Sequence, residues 1–422
     1  MNESRIRIMK ASNREYSSTF VQNIFRLFQS NAGKASLAVI IASVFNALVN
    51  LVVVAKVGRD LGPENFSSYT TSLAIGGSMS LTIGGFQIAI AHKTAESASI
   101  FSAPRWTLNR TLLNPFVGVG FLLGFLWLTL STPTSHILGI NSTTVASLAI
   151  VLPISAAVSV VDGALFGLSR FKTVQALTVA NTIFKLVFVV IYLHFRGTQQ
   201  FLPMIIYLSA IPTIFAGSIL IKNDIFSLPS LRSIELWTAN FVFLLIWICL
   251  QLDLLITRKV LTHREAGLYA SCATIGKAMT SISMLISFYA IPKSVQNLQS
   301  GHSTRRVFNR TAIASIILGL LVTAATVSTN LILRIFGSQF KTGRDFQIAV
   351  LISYIPWACL IALGQLRMTK TSNRLILILV SLASLQIFLL NYASKLSDVP
   401  PLMFVLGTLG AFAIYILPIS KS

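Results

Sequence analysis

Apolar stretches long enough to cross a bilayer recur along the chain, each closed by a cluster of charges or a turn rich in Gly, Pro or Asn. A helix needs about 20 mostly apolar residues to span the hydrocarbon layer. The pattern places such spans near 35–57, 69–91, 111–131, 144–168, 174–194 and 202–221. A second set follows near 234–256, 266–291, 311–333, 346–366, 374–393 and 400–419. The predicted fold class is therefore an all-α integral membrane protein of about twelve transmembrane helices. It divides into a polar segment 1–34, a six-helix lobe 35–221, a linker 222–233 and a second six-helix lobe 234–422. The loops are too short to hold a soluble catalytic domain.

The two lobes echo each other at a spacing of 200 residues: Arg59 answers to Lys259, Tyr69 to Tyr269, Ile75 to Ile275, Gly76 to Gly276, Met79 to Met279 and Lys93 to Lys293. The matches fall on the hairpin that opens each half. Bundles built from such repeats place a binding cavity near mid-membrane, at the seam between them, which points to transport across a pseudo-symmetric pair of lobes.

Composition agrees. With 54% hydrophobic and 11% charged residues, a soluble domain would expose far too much apolar surface. The net charge of +21 invites a nucleic-acid reading, but the basic residues follow the spans. On one side of the predicted membrane lie 21 lysines and arginines and on the other 10, with Lys185 and Lys277 left inside spans. The positive-inside bias then puts both termini in the cytoplasm, and attraction to anionic lipid accounts for most of the excess. Segment 1–34 lacks the apolar core of a cleaved signal. Its Phe20, Ile24, Leu27 and Phe28 recur at helical spacing, as in a short helix lying on the cytoplasmic interface.

Soluble-enzyme chemistry has little to stand on. Gly118, Gly120 and Gly124 lack dinucleotide-loop spacing and sit inside the third span, where glycines permit close helix packing. The five histidines form no ligand pattern, and Cys249, Cys272 and Cys359 all fall within spans. No catalytic residue, metal site or cofactor is expected.

Candidate chemistry is the polar content of the spans, since a charge at mid-helix costs about 2.5–3.5 kcal/mol on insertion scales and turns toward protein or water. In the first span Ser43, Asn46 and Asn50 share a face; in the second, Gly76, Ser80, Gly84 and Gln87 do, widened by Gly77 and Gly85. The seventh offers Asn240 and Gln251 on one face, and the eighth a stripe of Thr274, Lys277 and Ser281 with the lysine near the midplane. These four spans are the repeat-related ones, so their faces are expected to meet at one cavity. The bland readings are interhelical hydrogen bonds for the amides and hydroxyls, and packing or hinge roles for the glycines. Asp253, about 200° round the helix from Gln251, is expected to pair with Arg258 or Lys259, and Asp162 with Lys185 as a buried pair.

The stretch from Val57 to Tyr69, with Arg59, Leu61-Gly62-Pro63, Glu64, Phe66 and Tyr69, resembles the first hairpin turn of bacterial polysaccharide-repeat flippases. The glycine-rich second span ending at Ala91-His92-Lys93, the segment Leu165–Lys172 and its partial echo Gly364–Arg367 are similar to further features of that family. It is a branch of the multidrug/oligosaccharidyl-lipid/polysaccharide (MOP) exporter superfamily. The resemblance implies two six-helix lobes around a central cavity lined by the first two helices of each. It implies transport of polyprenyl-diphosphate-linked oligosaccharides from the cytoplasmic to the outer leaflet of the bacterial inner membrane, with pathway glycosyltransferases and a polymerase as partners. Lys277 would then meet the anion, while Asn46, Asn50, Gln87 and Gln251 would hydrogen-bond sugar hydroxyls. The drug/cation antiporters of the same superfamily need membrane-embedded carboxylates. The first span has none, leaving only Asp162 and Asp253. Peptidoglycan-precursor flippases usually carry two more helices, and a membrane polymerase would present a large external loop.

Overall fold

The computed structural model describes residues 31–97, 114–195, 197–221, 234–299 and 305–367, with a few helical positions between 380 and 388. The predicted interfacial helix near 20–28, the linker 222–233 and the last two predicted spans lie outside the described residues, apart from those few positions.

The first two predicted spans form one long element, α1 (Asn31–Ser97), folded on itself at Gly62, whose φ of 68° and ψ of 171° suit only glycine. Pro63 follows, its missing N–H harmless at the start of the second arm. Next come α2 (Pro115–Leu138), α3 (Ser142–Ser147) and α4 (Val151–Gly167), the last two joined by a short 3-10 turn. Asn114 caps α2 by accepting from the Phe116 N–H, and Gly139 ends it in the left-handed conformation. α5 (Phe171–His194) precedes a broken sixth span, α6 (Leu202–Leu208) and α7 (Ile211–Leu220), interrupted just before Pro212.

The second lobe opens with α8 (Ile234–Val260) and α9 (His263–Gln299). Thr262 and Glu265 form a capping box at the start of α9: the carboxylate accepts from the Thr262 N–H at 3.1 Å, and the threonine hydroxyl accepts from the Glu265 N–H at 3.3 Å. Then follow α10 (Arg305–Ser328), α11 (Leu331–Phe336) and α12 (Arg344–Arg367). Among the described residues six helical stretches are long and apolar enough to cross a membrane, the first of them Ile41–Ser80, which runs through both arms of α1.

Their outward faces carry bare apolar side chains: Phe125 is 70% exposed and Leu321 63%. A surface of that kind suits lipid rather than water. Inside the spans, many hydroxyls are satisfied by carbonyls one turn back, as Thr70 is by Phe66 at 3.0 Å and Thr311 by Val307 at 2.9 Å. Gly120 lies against the backbone of the first turn of α4 and Gly124 against the 3-10 turn before it, while Gly118 faces open space, so two of the three glycines in the third span serve close packing.

Two buried cores divide the chain, and their boundary does not follow the lobes. One joins the second arm of α1 to α2, α4, α5 and α7. The other holds α8, α9 and α12, but also Val53, Val57, Phe66 and Tyr69 of α1. Phe66 sits between Phe336 and Phe340, with ring centroids 5.4 and 5.8 Å away. The bend of the first hairpin is thus planted in the second lobe. Its tightest contact is at Gly267 of α9, where an added Cβ would stand 1.7 Å from the Pro63 carbonyl oxygen.

That contact predicts a stability effect. Gly267→Ala must push the two hairpins apart, and overpacking of this kind costs about 1–3 kcal/mol. The melting temperature of the detergent-purified protein should fall by several degrees, whereas Gly118→Ala should leave it unchanged. Equal melting temperatures for wild type and Gly267→Ala would contradict the packing described.

Candidate functional site

A cavity of about 410 Å³ lies at the seam between α1 and α9. Ser43, Asn46 and Asn50 form its wall on one side, and Thr274, Lys277 and Ser281 on the other. Each trio recurs at helical spacing, so a single face of each helix turns inward. Thr274 and Ser281 donate their hydroxyls to the carbonyls of Ala270 and Lys277 at 2.8 and 3.1 Å, which leaves their oxygens able to accept. Asn46 keeps a buried side-chain oxygen with no hydrogen-bond partner. Asn50 accepts from the Lys185 Nζ at 3.0 Å.

Lys277 is the hinge of the wall. Its Nζ donates to the Gln251 Oε1 at 2.6 Å and stands 3.4 Å from the Asp253 Oδ1. Its side chain is 20% exposed, against 4% for Asp253. The carboxylate is held from behind: its Oδ2 accepts from the Tyr269 hydroxyl at 2.6 Å and also from the Tyr354 hydroxyl. Two hydroxyls and an ammonium thus surround one buried acid. Such satisfaction is what a charge in the spanning region requires.

Several sequence expectations need correction. Asp253 does not pair with Arg258 or Lys259. Five residues along a helix is about 140° of rotation, so Arg258 points elsewhere. It crosses the seam, donating to the Ser67 Oγ at 2.5 Å and the Gly139 carbonyl at 2.9 Å, while Lys259 is exposed. Asp162 does not pair with Lys185 either. α5 packs chiefly on α1 rather than on α4, which delivers the lysine to Asn50. Of the other candidates, Gln251 is buried behind the wall and reaches the cavity only through Lys277. Gln87 is half-buried and stands outside the lining. Gly76 seats the Tyr207 ring, and its repeat mate Gly276 seats Tyr354, so packing explains both. Gly77 is half-buried, and Gly84, Gly85 and the Asn240 side chain lie outside the residues whose surroundings are described.

The residues missed by sequence are the two tyrosines. Tyr269 was visible as the echo of Tyr69; Tyr354 had no signal beyond its place in an apolar span. The lobes are clasped at the hairpin end by a second set of contacts. Arg59 donates to the carbonyls of Arg334 and Ile335, the latter at 2.6 Å, and Gln339 donates to the Arg59 carbonyl at 3.3 Å. Among the described residues no cluster of three potential metal ligands occurs.

No family model and no curated protein matches the sequence. Solved structures do. An inward-facing multidrug resistance MATE family transporter of the MOP superfamily aligns at a TM-score of 0.61 with 11% identity, over 88% of this chain and 93% of that one. The eukaryotic MATE transporter AtDTX14 aligns at 0.57 with 12% identity, over 95% and 97%. A MOP superfamily transporter from Pyrococcus furiosus aligns at 0.53 with 12% identity, over 93% and 95%. The chain therefore shares the fold of these transporters: an all-α integral membrane protein with two pseudo-symmetric lobes of six helices around a central cavity. The resemblance to polysaccharide-repeat flippases stands only on the motifs from Val57 to Tyr69 and those that follow.

The geometry ranks two substitutions. Asp253→Ala strips the acceptor from two buried tyrosine hydroxyls, and each orphaned group costs about 1–3 kcal/mol. Lys277→Ala leaves the acid its tyrosine bonds. Thermal unfolding should therefore show Asp253→Ala as the less stable of the two; the reverse order would contradict the assignment of the tyrosines as the acid's main support.

Proposed function

We propose that this protein is a membrane transporter that carries polyprenyl-diphosphate-linked oligosaccharide units from the cytoplasmic to the outer leaflet of a bacterial inner membrane. It works by alternating access, with both termini in the cytoplasm. The observation that carries the reading is the polarity of the cavity wall. The charged group it presents is the Lys277 ammonium, set among amide and hydroxyl groups, while the Asp253 carboxylate lies behind it. An ammonium in a partly wet, low-dielectric cleft suits a diphosphate, and Asn46, Asn50, Thr274 and Ser281 offer the donors and acceptors that sugar hydroxyls use.

Alternating access is supported by a clasp at the hairpin end. Arg258, Arg59 and Phe66 join the lobes at the hairpin end. With the termini cytoplasmic by the positive-inside bias, that end is the outer one. The chain aligns at 0.61 with an inward-facing MATE structure and at 0.52 with an outward-facing one.

A second reading has one observation in its favour. A cation-coupled drug antiporter needs a membrane carboxylate, and Asp253 supplies one next to the cavity. The wall itself, however, offers a drug cation an ammonium. Export of a lipid-linked glycan in a strain lacking its own flippase separates the two. Lys277→Ala should abolish export with insertion intact, and Lys277→Arg should keep part of it, because the charge survives while the geometry changes. Wild-type export by Lys277→Ala would refute the site. In a background free of native cysteines, bridging Arg59→Cys to Gln339→Cys with a short thiol reagent should stop transport; undiminished transport by the bridged form would refute rocking of the lobes.

A further inference from the structure

The Lys277–Asp253 pair is unequal in a way that a purely structural pair need not be. The ammonium sits closer to a neutral amide, 2.6 Å to Gln251, than to its own counterion at 3.4 Å. An ammonium has three donors. One goes to the amide and one faces the acid, so a third remains for the cavity, where the residual exposure of Lys277 lies. On the other side, the Asp253 Oδ2 is fully engaged by Tyr269 and Tyr354, while its Oδ1 is buried and makes no hydrogen bond. A small void of about 10 Å³, lined by Cys249, Ser353, Tyr354 and Trp357 among others, adjoins the acid on the side of α8 and α12. The carboxylate is therefore anchored without the lysine, and its idle oxygen is the one that faces the lysine.

We propose that Lys277 exchanges counterions: Asp253 holds it while the cavity is empty, an anionic group of the substrate draws it into the cavity, and Asp253 then takes up a proton, so that anion and proton load together. The inference rests on the reading of an anionic, diphosphate-bearing substrate. The physical reason is charge balance. An isolated buried carboxylate is unfavourable once its cation turns to another anion, and the new anion raises the local negative potential further. A proton from cavity water, bonding to Oδ1, removes that charge without disturbing the tyrosine bonds to Oδ2. The titratable groups facing Asp253 are Lys277 and Tyr269 of α9 and Tyr354 of α12, with the Cys249 thiol of α8 beside the same void. Among these the acid is the one group left uncompensated when the lysine turns.

Farnesyl diphosphate, a short polyprenyl diphosphate, serves as the probe on the full-length protein in detergent. Calorimetry in two buffers of different ionisation heat reads the protons taken up per probe bound. Wild type should take up close to one. Its affinity should tighten as pH falls, approaching tenfold per unit. The probe's own titration works in the opposite direction, since the diphosphate loses charge as pH falls. Asp253→Asn, which keeps an oxygen for the tyrosines, should bind the probe with no linked uptake and no such tightening. Lys277→Gln should weaken binding at least tenfold. Binding by wild type without proton uptake, or with an affinity that fails to tighten at low pH, overturns the exchange while leaving the proposed function standing. So does uptake that survives in Asp253→Asn. Failure of wild type to bind the probe at all overturns both. Because the pH dependence is read on wild type, the outcome does not hinge on whether the Asp253 variant folds.

Discussion

One buried carboxylate organises the second lobe. Asp253 is buried, and a charge in that position persists only if neighbours replace its hydration. Tyr269 and Tyr354 hold one oxygen, and Lys277 faces the other. Because the three partners come from two different helices, the acid fixes how α9 and α12 lie against α8. Gly276 lets the Tyr354 ring approach closely enough to reach it. The same arrangement sets the orientation of Lys277, and so the polarity of the cavity. The chemistry offered to a ligand is in this sense a by-product of solving a desolvation problem one layer deeper.

The seam between the lobes follows a different logic. A helix pair in lipid gains little from apolar contact alone, so close backbone approach and hydrogen bonds across the interface carry the association. Gly267 against Pro63, Gly58 against Phe336, and the arginines at 59 and 258 clasping carbonyls and a serine all do this at one end. The contacts of Phe66 with Phe336 and Phe340 join them, so the seam at this end combines polar clasps with a shared apolar core.

Much of this was legible in the sequence because membrane solvent imposes a coarse code. Length and apolarity marked the helical stretches that are described, and period 3.6 marked the faces of α1 and α9 on which Asn46, Asn50, Lys277 and Ser281 line the cavity. What failed was partner choice. Gln87 and Gln251 share the right faces by angle, but one stands outside the lining and the other is covered by Lys277. Arg258 was assigned to the nearest acid in sequence, yet five residues of helix turn it to the opposite side. Lys185 was matched to Asp162 on the preceding span, although the helix carrying it packs on α1. Periodicity reports which way a residue points, whereas the neighbour it meets depends on helix crossings that a single sequence does not encode.

The internal echo sharpens the point. At the 200-residue offset, Tyr269 has Tyr69 and Gly276 has Gly76, so the scaffold of the site is duplicated. Its charges are not: the places of Gln251, Asp253 and Lys277 are taken in the first lobe by Leu51, Val53 and Gly77. The consequence is visible in the hydroxyl that survives. Tyr69 is buried with no hydrogen-bond partner, where Tyr269 holds the acid. The two lobes thus meet at the cavity with unlike equipment, amides from the first and an ammonium backed by an acid from the second. A symmetric pair would have placed two ammonium–carboxylate sets face to face across some 410 Å³, each screening the other's ligand. The second-lobe wall thus presents its ammonium directly to the cavity, whereas the Lys185 ammonium of the first lobe stands behind Asn50.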